Sequence, residues 1–335
     1  MDIEPLTPVR MMSAIGICAA LCVAAMVAMP LLGSAHIEFG RAFRGESPDA
    51  EILFRTRCPR IILAALAGGG LAFAGVLFQA LLRDALADPH IIGVSSGASL
   101  GAVAAICAGW QSIGALPAVW VAAFAGAAGM LLLILLIASE DRRISSFTLL
   151  LSGVTVTTTC FGLILLLQTL ASFGQSFAIV HWLMGSIEIV DGRTLAWLAG
   201  VSLPVCAYVM ARARDWNLLS IGEDWAATRG VATSRLMLGG FLAGSFLVGT
   251  ITSITGPIGF VGLIIPHALR LRMGADHRIL LPCAFFLGAA FLVVCDTLAR
   301  TVMAPTEIPV GVVTAVLGGP YFIWLLRSNR RKLRV

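Results

Sequence analysis

The chain has 335 residues, 59% of them hydrophobic and only 12% charged, where soluble domains run near 45–50% and roughly 25%. A mean hydropathy of +0.95, with the apolar residues gathered in blocks of about 18–25, excludes a soluble domain, a disordered chain and a disulfide scaffold. It also excludes an outer-membrane barrel, whose strands alternate over about ten residues, and the net charge of +5 needs no nucleic acid to explain it. The expected architecture is all-α: a polytopic membrane protein forming a single transmembrane domain over residues 1–335.

In chain order the blocks predict about ten spans, at 11–33, 60–82, 93–109, 115–138, 145–168, 191–211, 235–254, 258–273, 278–299 and 308–326. The first ends beside Ser34 and Ala35, which imitate a signal-peptidase site, but it exceeds the roughly 7–15 residues of a signal-peptide core and reads as a retained span. An even number of spans puts both termini on one side. With that side cytoplasmic, most basic residues lie inside, including Arg142, Arg143, Arg270, Arg272 and the C-terminal run Arg327, Arg330, Arg331, Lys332 and Arg334. The exceptions cluster. Arg41, Arg44, Arg55, Arg57 and Arg60 fall in or beside the first outer segment, so something outside wants positive charge there.

Glycine and proline interrupt the spans at Gly68-Gly69-Gly70, Gly75, Gly256-Pro257 and Gly318-Gly319-Pro320. Broken or closely packed helices are implied, which a membrane tolerates only where protein or a water-filled cavity covers the backbone. A faint echo links Arg60-Ile-Ile-Leu with Arg235-Leu-Met-Leu, and Ser152-Gly-Val-Thr155 with Val310-Gly-Val-Val-Thr314. Helices two to five and seven to ten would then form an inverted repeat, a transporter signature.

Each pattern that could supply an energy source or covalent chemistry is either missing or has a simpler reading. The single lysine, Lys332, lies outside any glycine loop, so a phosphate-cradling G-x-x-x-x-G-K-[ST] motif is absent. Asp296 is the mid-span carboxylate that an ion-coupled secondary transporter would use; Arg300, one turn on, offers the alternative of a neutralising i,i+4 pair. Gly93-Val-Ser95-Ser-Gly97 matches a serine-hydrolase elbow, with His181 and His267 as candidate bases, though small residues opening a packed helix account for the same letters. The eight cysteines form no C-x-x-C pair and the five histidines lack ligand spacing, so no metal site or cofactor is expected.

Three stretches carry more. The first runs from Arg57-Cys-Pro-Arg60 through Gly70-Leu-Ala-Phe-Ala-Gly75 to Asp84-Ala-Leu-Ala-Asp88-Pro-His90-Ile-Ile-Gly93. The second is Gly256-Pro-Ile-Gly-Phe-Val-Gly-Leu-Ile-Ile-Pro266-His267, and the third joins Asp296-Thr-Leu-Ala-Arg300 to Glu307-Ile-Pro309-Val-Gly311 and Gly318-Gly-Pro320. In this order, over nearly the whole chain, they resemble the FecCD-type permeases, membrane subunits of ABC importers for ferric siderophores, haem and cobalamin. Asp84 and Ala85 depart from the family's usual Asn-Pro.

The resemblance implies a bacterial inner-membrane permease working by alternating access. Its partners would be a second permease copy, two cytoplasmic ABC ATPases and a periplasmic substrate-binding protein. Arg57, Arg60 and Arg300 would receive that protein's carboxylates, a task suited to guanidinium forks; anchoring α-helix ends at the headgroups is the simpler role open to Arg57 and Arg60. The polar segment 212–234 would be the cytoplasmic coupling segment, two short helices split at Gly222 and stopped at Gly230. Leu218, Leu219, Ile221 and Ala226, with Glu223, would meet the ATPase. Ser152, Thr155 and Thr159, three and four residues apart on the fifth span, would line the translocation path or, equally, hydrogen-bond between helices.

Overall fold

The computed structural model describes residues 8–33, 37–113, 116–140, 143–144 and 146–329. Ser34, Ala35, Arg142 and the basic run from Arg330 to Arg334 lie outside the described residues. Helices stand at each place the apolar blocks predict: α1 Pro8–Ala28, α2 Cys58–Leu81, α3 Val94–Cys107, α4 Ala118–Ala138, α5 Ser146–Leu170, α6 Gly192–Ala211, α7 Thr233–Thr255, α8 Val261–Met273, α9 His277–Thr301 and α10 Val310–Asn329. Among the described residues, seven helical segments are long and apolar enough to cross a membrane, those containing α1, α2, α4, α5, α6, α7 and α9. The expected ten crossings are therefore not all carried by length. The 14 residues of α3 rise about 21 Å, and the slightly shorter α8 less, both short of a roughly 30 Å hydrocarbon core.

The shortness has a local cause. Each of these two helices is entered by a broken turn: a single 3-10 turn, Pro89–Ile92, with left-handed Gly93 (φ +90°) before α3, and residues 256–260, from Gly256 (φ +68°) to Phe260 (φ +69°), before α8. Phe260 is a bulky residue in a region such side chains rarely enter, and a Cβ on Gly318 of α10 would meet its ring at 2.6 Å. The two turns meet inside the protein, where His90 Nε2 donates to the Ile258 carbonyl at 2.6 Å. The two breaks in helical backbone are thus tied to each other, as a bundle in a membrane requires of such segments.

At the centre, α2 is enclosed on all sides while α7 and α9 are mostly enclosed; α1, α4, α5 and α6 leave most of their apolar surface outward. Closest approaches run through glycine. Gly68 of α2 and Gly288 of α9 lie backbone to backbone, and a Cβ on Gly75 would run into the Gly262 carbonyl of α8. Small residues allow this contact, which drives helix association where lipid removes the hydrophobic incentive. Gly75→Ala is expected to destabilise by about 1–3 kcal/mol, since backbone cannot step aside as a side chain can. Gly16→Ala on α1, where nothing lies within 4 Å, should melt like wild type in the same detergent.

The helix pairings recur in the two halves. The contacts α2–α9, α3–α4, α3–α5 and α2–α8 have counterparts in α7–α4, α8–α9, α8–α10 and α7–α3, the pattern obtained when helices two to five are matched to seven to ten. Between α5 and α6 lies an element the apolar blocks do not predict, the helix Phe173–Leu183. A capping box starts it, Ser172 with Gln175, and the Gln175 amide also donates to the carbonyls of Ile106 and Cys107 at 3.2 and 3.0 Å, closing the end of α3.

Candidate functional site

Residues far apart in sequence form a charged cluster where α2 begins and α9 ends. A π-helical turn, Ile52–Arg57, runs without a break into α2, with Pro59 just beyond the junction, where a proline interrupts the regular bonding of the preceding turn. Arg57 is 4% exposed and donates Nη1 to the Pro30 carbonyl at 2.8 Å. Arg60 reaches across to α9: Nε lies 3.2 Å from both carboxylate oxygens of Asp296 and Nη2 lies 3.1 Å from Oδ1. Its third nitrogen, Nη1, donates to Glu307 at 2.8 Å. Arg300 Nε stands 3.5 Å from Asp296 Oδ2.

The i,i+4 pair expected between Asp296 and Arg300 is therefore present but secondary; the shorter, two-pronged partner of Asp296 is Arg60. Asp296 is fully buried, and a buried carboxylate is tolerable only when paired and hydrogen-bonded. Two guanidiniums, of Arg60 and Arg300, thus converge on the Asp296 carboxylate, and Arg60 also holds Glu307. Glu307 is the open member, its side chain 55% exposed against 12% for Arg60.

At the opposite end of α2 lie the short helices Ala213–Ile221 and Glu223–Thr228, divided at Gly222 and followed by left-handed Gly230 (φ +84°). They are tied to the bundle. Trp216 is fully buried against Gly240 of α7, its indole donating to the Val209 carbonyl at 2.9 Å. The Asn217 side chain bridges Asp276 and the His277 amide at 2.9 and 2.8 Å, and Arg83 pairs with Glu223 at 2.8 Å. Burial pushes the Asp276 carboxyl up, but hydrogen bonds from Arg278 and Asn217 outweigh it and hold it at about 2. A carboxyl lowered in the fold stabilises above the usual carboxylate range and loses that contribution as pH falls towards 2.

Exposure divides the contact set expected for this segment. Leu219 and Ala226 are buried within their own chain and Leu218 is half-buried, so none offers a free apolar face of any size; Ile221 (66% exposed) and Trp225 (45%) do. Trp225 puts an aromatic ring on a polar helix, and the Arg229 guanidinium lies 4.5 Å over it. The hydroxyl face of α5 also divides. Ser152 is buried, whereas Thr155 and Thr159 are exposed and donate back to the carbonyls of Leu151 and Thr155 at 2.8 and 2.9 Å.

The hydrolase alternative finds no elbow. Ser95 lies buried in the first turn of α3, with no partner for its hydroxyl among the described residues. His267 packs edge-on to Phe322 and His181 stacks on Phe177, so neither contacts it as a base.

The FecCD transport family model matches residues 15–328. The chain is 35% identical over 305 residues to the hemin transport system permease HmuU of Yersinia pestis, covering 90% of this chain and 91% of that one. It is 40% identical over 294 residues to the cobalamin import system permease BtuC of Halobacterium salinarum, covering 85% and 76%. A solved inward-facing metal-chelate type ABC transporter superposes with a TM-score of 0.82 at 31% identity, over 95% of this chain and 99% of that one. The chain belongs to the FecCD transport family and is the membrane permease subunit of an ABC importer, with ATP hydrolysed by a separate subunit.

Proposed function

We propose that this permease moves an iron chelate, ferric siderophore or haem, or cobalamin from periplasm to cytoplasm by alternating access, as a homodimer with two ATPase subunits and a periplasmic binding protein. The observation that supports the reading is the convergence of Arg60 and Arg300 on Asp296, 236 residues from Arg60 in sequence, with Arg57 buried one turn before Arg60. A partner's carboxylates would dock there and release the solute between two copies of α5. That helix presents Thr155, Thr158 and Thr159 beside exposed Leu151, Val154 and Phe161, a surface that makes only weak contacts with a large solute. Ile221 and Trp225 would engage the ATPase, whose closure moves the bundle. Both termini would be cytoplasmic.

The test is uptake into proteoliposomes holding the chain with its ATPase and binding protein, offering ferric siderophore, haem and cobalamin separately. Uptake of one of them that requires ATP is expected. Uptake that follows an ion gradient without ATP overturns the reading and returns attention to Asp296.

A further inference from the structure

We infer that Glu307 is a built-in stand-in for the partner's carboxylate, occupying Arg60 until the binding protein displaces it; the inference rests on the docking role proposed above. Arg60 has two carboxylate partners of opposite character. Asp296 is fully buried and holds Nε and Nη2, whereas Glu307 is more than half exposed and holds only Nη1, at 2.8 Å. The inner bond is protected from water. The outer one is a single-point contact on the surface, of the kind that contributes little and exchanges readily.

An incoming carboxylate would therefore meet an arginine already satisfied, and must compete for the one nitrogen that faces outward. Displacing Glu307 leaves Arg60 charge-balanced throughout, because one carboxylate replaces another and the buried pair with Asp296 never opens. The neighbouring chain gives the exchange a mechanical consequence. Glu307 lies in the connection from α9 to α10, whose Ile308 amide bonds back to the Ala299 carbonyl at 3.0 Å. Three residues further on, the Gly311 amide bonds the Gly185 carbonyl at 3.1 Å. Freeing Glu307 loosens the first of these ties at the point where α10 begins. Docking on Arg60 would thereby be felt by α10, and without a partner the same glutamate keeps the connection closed down on α9.

Docking of the solute-loaded binding protein onto the intact permease–ATPase complex tests this, measured as Kd for wild type, Glu307→Gln, Glu307→Asp and Arg60→Lys. Glutamine keeps the shape and removes the charge, whereas aspartate keeps the charge but is too short to reach Arg60. Both Glu307 variants are expected to dock about two- to fivefold more tightly. Arg60→Lys keeps a cation beside Asp296 but loses the fork, and is expected to dock about tenfold more weakly. If Arg60→Lys weakens docking while both Glu307 variants dock like wild type, the stand-in is overturned and the docking role survives. Tightening by glutamine alone would assign the effect to long-range charge and also overturn the displaced contact. Docking unchanged in Arg60→Lys overturns the docking role itself.

Discussion

Asp296→Asn is expected to lower the stability of the purified permease by about 3–5 kcal/mol, the range found when one partner of a buried ion pair is removed. The side chain is fully buried, and both Arg60 (12% exposed side chain) and Arg300 (8%) lean on it. Asparagine offers each a neutral oxygen and leaves two guanidiniums close together in a poorly solvated place, with Glu307 the remaining carboxylate partner of Arg60 among the described residues. The outcome separates two roles for the residue. An ion-coupling carboxylate would leave the fold intact and remove gradient-driven uptake, whereas a structural one shifts the melting temperature in detergent with no gradient present. Replacing the set together, Asp296→Leu with Arg60→Met and Arg300→Met, should recover most of the lost stability, because buried pairs exchanged for packed apolar residues are often neutral or better. That triple variant should fold and yet fail to dock the binding protein. A wild-type melting temperature for Asp296→Asn alone would show that the pair does not hold α2 to α9.

Much of the fold is legible in the sequence, because each apolar block reports its own helix and glycine reports its own backbone. Gly222 and Gly230 divide and end the two short helices where their positions say they should. Tertiary choices are not written locally. Spacing on one helix names Arg300 as the partner of Asp296; Arg60 becomes the nearer one only once the Gly68–Gly288 contact has brought α2 against α9. Likewise Leu219 and Ile221 look equally apolar in a row of letters. Trp216, seated against Gly240, turns its helix so that Leu219 is 1% exposed and Ile221 66%. Periodicity puts Ser152, Thr155 and Thr159 on one face, but the boundary between neighbouring helices and open surface falls within that face. The broken entries to α3 and α8 are visible as Pro89 with Gly93 and Gly256 with Pro257. Their meeting at His90 and Ile258 is not, since it depends on how far each turn is folded back into the bundle.

The exposed pair on the two short helices, Ile221 and Trp225, carries the second large effect. Ile221→Asp combined with Trp225→Ala is expected to reduce ATP-driven uptake at least thirtyfold, since truncating an anchor residue at the centre of an interface costs 2 kcal/mol or more. Both side chains lie outward, so the permease itself should melt like wild type and still dock the binding protein on Arg60; what should disappear is co-purification of the ATPase. Leu219→Ala provides the contrast. Its side chain is buried under the helix, so its removal is expected to cost about 2–5 kcal/mol of stability while any folded fraction retains the ATPase. The two variants lie two residues apart and fail in different assays, which a general disturbance of the segment could not produce. Retained ATPase with normal uptake in the double variant would move the coupling contact elsewhere. The next residues to test would be Asp224 and Arg229, the exposed charges flanking Trp225 on the same short helix and its end.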